Sequence, residues 1–177
     1  VDPFSAWKNS LKENDMLKQG KKKPFFTALV LGVVAGMRTF SAPAIASHIL
    51  SQQNSGHLAK SPLNFMQSEN VSTGLKVLAL GEFVGDKLPT APNRTEPLGI
   101  TGRCLAGSLA GASIYKASGN SALQGALVGG IVALGATFGS YLLRKTIVEK
   151  LNVNDPYIGG AEDILVLAAG AGLIAAS

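Results

Sequence analysis

The chain has 177 residues, of which 46% are hydrophobic and only 15% charged, with 21 glycines and a formal net charge of +5. Soluble domains carry about a quarter charged residues, so this composition excludes a disordered chain and argues against a water-soluble domain. The single Cys104 can form no internal disulfide and has no His or Cys at ligand spacing, which excludes an oxidised scaffold and a zinc site.

Residues 1–23 differ in composition from the rest of the chain. Asp2 and Pro3 suit a helix start, and Phe4, Trp7 and Leu11 share one face beside several lysines. The segment reads as a basic interfacial helix with Trp7 at headgroup level, or equally as a basic tail that only orients the chain. A cleaved signal peptide fits poorly, because the first apolar block is too long and starts too late.

Over 24–177 the apolar residues fall into blocks that predict an all-α, polytopic membrane helix bundle of about five segments. The first runs from Phe25 to about Leu50, interrupted by Arg38, Pro43 and His48, and is long enough to cross once with a kink near Pro43. The second, about Val71 to Leu88, carries Lys76, Glu82, Asp86 and Lys87, so it must face protein or water. Three more run from about Leu98 to Ser118, Ser121 to Leu143, and Ala161 to Ser177, the last being short. Basic residues near spans stay in the cytoplasm. With the N-terminus inside, Lys8, Lys12, Lys18, Lys21 to Lys23, Lys87, Arg94, Arg144, Lys145 and Lys150 all fall on that side. The expected location is a membrane with the N-terminus in the cytoplasm, with the lipid bilayer as the first partner and a homo-oligomer or partner subunit as further ones. No interleaving of basic and aromatic residues suggests nucleic acid.

Five Gly-x-x-x-Gly pairs lie in the apolar blocks: Gly32/Gly36, Gly81/Gly85, Gly107/Gly111, Gly125/Gly129 and Gly135/Gly139. Small residues one turn apart let helices approach closely in lipid, so a tight glycine-rich bundle is expected. Residues Ala28 to Ala35 resemble Ala126 to Ala133. In a five-crossing topology those helices run in opposite directions, as an inverted repeat would, and such repeats are frequent in transporters.

The charges inside the blocks form the candidate site. Glu82 and Asp86 share a helix face, Lys87 is next in the chain, and a stiff proline-rich loop brings Arg94. Arg103 lies one turn into the third helix, and Glu162 and Asp163 are expected near the start of the fifth, where the helix dipole favours carboxylates. Arg38 sits deeper and needs a partner, for which Glu82 or Asp86 is the candidate on depth. A charge in a span costs about 2.5 to 3.5 kcal/mol even on the mildest scale, so the cluster is either a binding and translocation site or structural pairing. Acidic clusters can also hold Mg²⁺ and arginines can grip phosphate. No complete nucleophile, base and orienter set is visible, and whether a metal or cofactor binds is left open.

Gly36-Met37-Arg38-Thr39-Phe40-Ser41-Ala42-Pro43, Gly81-Glu82 with Gly85-Asp86-Lys87-Leu88-Pro89, Pro92-Asn93-Arg94-Thr95-Glu96-Pro97 and Gly102-Arg103 resemble the bacterial integral-membrane family catalogued as domain of unknown function 4126. The resemblance covers most of the chain from Phe25 onward and implies a bacterial inner-membrane protein without supplying an activity. The functional expectation is a small ion or solute transporter or channel with a cytoplasm-facing polar site formed from Arg38, Glu82, Asp86, Lys87, Arg94, Arg103, Glu162 and Asp163. A membrane enzyme acting on a lipid phosphate, or a structural subunit of a membrane complex, is the alternative.

Overall fold

A computed structural model of the chain describes residues 23–85, 96–151 and 155–177, and the described residues form helices and turns with no strand. Seven α-helices occur in order: α1 (Lys23–Met37), α2 (Ser41–Gln53), α3 (Gly56–Ala59), α4 (Glu69–Gly85), α5 (Pro97–Ala117), α6 (Ala122–Leu151) and α7 (Asp155–Ala176). A 3₁₀ helix, Pro62–Gln67, precedes α4, its first turn held by Ser61, whose hydroxyl accepts from the Leu63 N–H at 3.3 Å. The basic segment and the proline-rich loop, with Asp86, Lys87 and Arg94, lie outside the described residues.

Helix directions can be read from contacts at glycine. Gly107 and Gly111 of α5 lie against Gly129 and Gly125 of α6, so these helices are antiparallel. They are joined by a tight turn in which Gly119 takes φ +75°, a backbone conformation that side chains with a Cβ rarely adopt. Gly32 of α1 faces Gly129 and Val132, and Gly36 faces Ala133 and Ala136, so α1 and α6 are parallel. Ser55, just past α2, donates to the Ala117 carbonyl at 2.6 Å, and Thr39, just before α2, lies against Gly102, so α2 and α5 are parallel. It follows that α1 and α2 are antiparallel, and residues 23–30 indeed border the same cavity as residues 49–53.

The block from Phe25 to Leu50 is therefore not one kinked crossing. It is a helical hairpin whose tip is Arg38-Thr39-Phe40. The break falls before Pro43, which occupies the third position of α2, where a missing N–H costs no intrahelical bond. Two more expectations are corrected. The segments around Ala28–Ala35 and Ala126–Ala133 run in the same direction, so their likeness is not an inverted repeat. Lys23 lies at one end of the bundle, the near end, with Gln53, Ala117 and Ser177. Arg38, Glu82 and Arg144 lie toward the other, far end, so among the described residues Lys23 and Arg144 stand at opposite ends, while the lysines before Lys23, with Lys87 and Arg94, lie outside the described residues.

The core combines small side chains, Ala35, Ala42, Ala46, Ala106, Ala110 and Ala133, with Leu31, Val34, Leu50, Leu58, Met66, Ile114 and Val166. Large apolar residues point outward instead, among them Val77, Leu80 and Val84 on α4, Leu127, Ile131 and Leu142 on α6, and Ile164 and Leu167 on α7. Among the described residues two helices are long and apolar enough to cross a membrane, Ala122–Val148 and Ile158–Ala176, and each has only 22% of its most apolar stretch buried.

Candidate functional site

Breaking a helix between α1 and α2 frees backbone groups on both sides of the tip, and three of them find partners on other helices. The N–H groups of Thr39 and Phe40, which would have continued the α1 ladder, donate instead to the two oxygens of Glu82 on α4, at 2.7 and 2.8 Å. The carbonyl of Gly36 accepts from the Thr137 hydroxyl of α6 at 3.3 Å, while the same hydroxyl donates at 2.8 Å to its own helix at Ala133. Phe40, the residue before α2, offers no side-chain cap of its own. A carboxylate at this place also meets the positive end of the α2 dipole.

Arg38 is 2% exposed. Its Nε donates to Asp163 of α7 at 2.9 Å and its Nη2 to the same oxygen at 2.5 Å. The Phe83 ring of α4 lies beneath the guanidinium, 5.0 Å from centroid to Cζ, a cation–π distance. Consecutive residues of α4 thus do two jobs: Glu82 closes the backbone of the tip and Phe83 covers its cation. Arg103 of α5 is buried one residue beyond Gly102, which borders Thr39. Glu162, 7% exposed, stands 4.0 Å from Arg144 of α6.

The partner expected for Arg38 is Glu82 or Asp86; among the described residues Asp163 takes its guanidinium and Glu82 is turned to the backbone of the tip, while Asp86 lies outside the described residues. Glu162 and Asp163 are expected in the first turn of the last helix, but α7 begins at Asp155, so they lie about two turns in and are held by side chains. Arg144, Lys145 and Lys150 are expected in the loop after α6 and are in fact on it, because the helix continues to Leu151. The far end thus brings together Arg38, Glu82, Arg103, Glu162 and Asp163 from the α1–α2 hairpin, α4, α5 and α7. Phe83 and Thr137 belong to the site although neither is a charge that sequence reasoning would single out. Phe83 is the immediate neighbour of Glu82, and Thr137 is among the few hydroxyls within the apolar run of α6. His48 lies outside this cluster, its Nδ1 3.0 Å from Lys76.

Chemically the tip is a converging set of donors: two backbone N–H groups and buried guanidinium groups, with carboxylates of the protein itself as acceptors. Among the described residues no group of three or more His, Cys, Asp or Glu is placed to hold a metal ion.

A family described as Domain of unknown function (DUF4126) matches residues 25–176, and the chain belongs to that family. No curated protein and no solved structure matches the chain. The matched region contains the hairpin tip, α2 to α7 and all the site residues.

Proposed function

We propose that the chain is a bacterial inner-membrane protein that passes a small ion or solute through the polar site at the hairpin tip. The apolar outer surface and small-residue interior support a lipid environment, since a soluble protein buries its large apolar side chains. In this reading α4 to α7 cross the bilayer and the α1–α2 hairpin enters from the near end and returns.

One observation carries the transport reading. At membrane depth non-helical backbone is tolerated only where protein or water satisfies its polar groups, and here the Thr39 and Phe40 N–H groups are satisfied by a carboxylate rather than by the helix itself. Broken helices with half-helix ends turned toward charged groups are the way transporters build substrate sites. The donors at the tip favour an anion, and Glu82 occupies the position an anion would take. When a substrate anion displaces Glu82, the two N–H groups keep an acceptor, and the carboxylate is free to pair with a neighbouring guanidinium.

Flux into proteoliposomes tests the reading. Wild type should pass a small anion, and Glu82→Gln should lose that flux while keeping its helical circular dichroism and its elution volume. A wild type silent for every ion tried, or a Glu82→Gln variant with wild-type flux, would make the cluster structural pairing. The near end, with Lys23, and the far end, with the polar cluster, cannot both face the cytoplasm. Membrane-impermeant thiol labelling at Lys60→Cys and Arg144→Cys, in a chain with Cys104 replaced, decides which does.

A further inference from the structure

A second feature lies away from the hairpin tip. Val33 and Met37 of α1, Gly135 and Gly139 of α6, and Ile158 and Leu165 of α7 line an apolar groove of about 570 Å³ on the outside of the bundle. The two glycines stand one turn apart, and a side chain added at either would meet nothing within 4 Å, so no part of the described chain fills the space above them. The groove runs along α6 from Val132 to Ile147, about 22 Å at 1.5 Å per residue. A single leaflet is about half of a roughly 30 Å hydrocarbon core, so the groove has the reach of one acyl chain from headgroup level to the midplane.

Its far end carries charge. Arg144 lines the groove there, 4.0 Å from Glu162 and partly exposed, and Lys145 and Lys150 come next on the same stretch of α6. In sequence that stretch holds three basic residues and one acidic residue, Glu149, with Glu162 on the neighbouring helix. A guanidinium has five N–H donors in a fork that suits phosphate oxygens, so it can hold a phosphate beside its own carboxylate.

We infer that this groove binds one acyl chain of an anionic phospholipid, with the lipid phosphate at Arg144. The inference rests on the membrane reading but not on transport. Native mass spectrometry of the full chain, extracted from membranes supplemented with equal phosphatidylglycerol and phosphatidylethanolamine, is the test. Wild type should retain one phospholipid, phosphatidylglycerol over phosphatidylethanolamine by about tenfold, a difference of about 1.4 kcal/mol. Gly139→Leu, whose Cβ meets nothing within 4 Å and whose side chain occupies the trough, should lose both lipids. Arg144→Gln should keep a lipid and lose the preference. Equal retention of the two lipids by wild type, wild-type retention by Gly139→Leu, or a lipid-free dimer seated on this face would overturn it. Carbonate extraction separates the two failures: a chain released by carbonate overturns the membrane reading as well, whereas a resistant chain that carries no lipid overturns the groove alone.

Discussion

The glycine seam joining α1, α5 and α6 and the charged tip of the α1–α2 hairpin are both buried, yet they are held by opposite means. In the seam, Gly32, Gly36, Gly107, Gly111, Gly125 and Gly129 bring backbones so close that no side chain fits between them. Packing without polar partners suffices there, because in lipid helix association depends on close contact. At the tip the Thr39 and Phe40 N–H groups and the Arg38 guanidinium are answered by carboxylates from α4 and α7, Glu82 and Asp163. The lesson is that the seam tolerates any chemistry that is small, whereas the tip tolerates any size of change only if charge and donor count are kept.

The largest effect should come from breaking the seam. A Cβ at Gly107 would stand 2.6 Å from the Gly129 carbonyl oxygen, with no flexible atom to yield. Gly107→Leu should therefore exceed the roughly 1 to 3 kcal/mol typical of overpacking and leave no monodisperse protein on size exclusion. Gly81→Leu, in the same kind of motif but meeting nothing within 4 Å, should elute as wild type, so that the motif holds helices together only where a backbone faces it.

Next is the ion pair. Arg38→Gln leaves Asp163 buried without its cation, and removing one partner of a buried pair costs about 3 to 5 kcal/mol, read as a large drop in thermal unfolding midpoint in detergent. The double variant Arg38→Gln with Asp163→Asn should recover part of that loss. If the single and double variants unfold together, the pair is not the element that holds α7 to the hairpin.

A smaller change is expected for Glu82→Gln. The glutamine offers one carbonyl oxygen where the carboxylate offered two, so one of the Thr39 and Phe40 N–H groups loses its acceptor. Losing one hydrogen bond at this partly exposed place costs about 1.5 kcal/mol at most, measurable in the same melt and separable from the loss of flux. The smallest effect belongs to Thr137→Val, which keeps the shape and removes one hydroxyl from Gly36, for about 1 kcal/mol. A larger loss would mean that the α6 side of the break matters as much as the α4 side.

The two regions differ in how far the amino-acid sequence reveals them. The spacing of Gly32/Gly36, Gly107/Gly111 and Gly125/Gly129 marks the seam, but the same spacing at Gly81/Gly85 and Gly135/Gly139 marks surfaces that meet nothing within 4 Å. A motif of small residues says that a close approach is permitted, not that a partner is present. At the tip, Arg38, Glu82, Asp163 and Arg103 stand out as charges in apolar surroundings, and they do converge on one end. Their pairing is not readable, because Arg38 and Asp163 are 125 residues apart and Glu82 is 43 from Thr39.

The amino-acid sequence by itself determined the helical and apolar character of the chain, the small residues that allow close helix contact, and which charges need partners, since each is a property of a residue and its near neighbours along one helix. Only the tertiary structure decided that residues 25–50 turn back at Arg38-Thr39-Phe40 instead of crossing, and which carboxylate answers which donor. Hydropathy is the same for a crossing helix and a hairpin of equal composition. The choice between them turns on whether the freed N–H and C=O groups of the break are satisfied, and the groups that satisfy them, Glu82 and Thr137, come from α4 and α6.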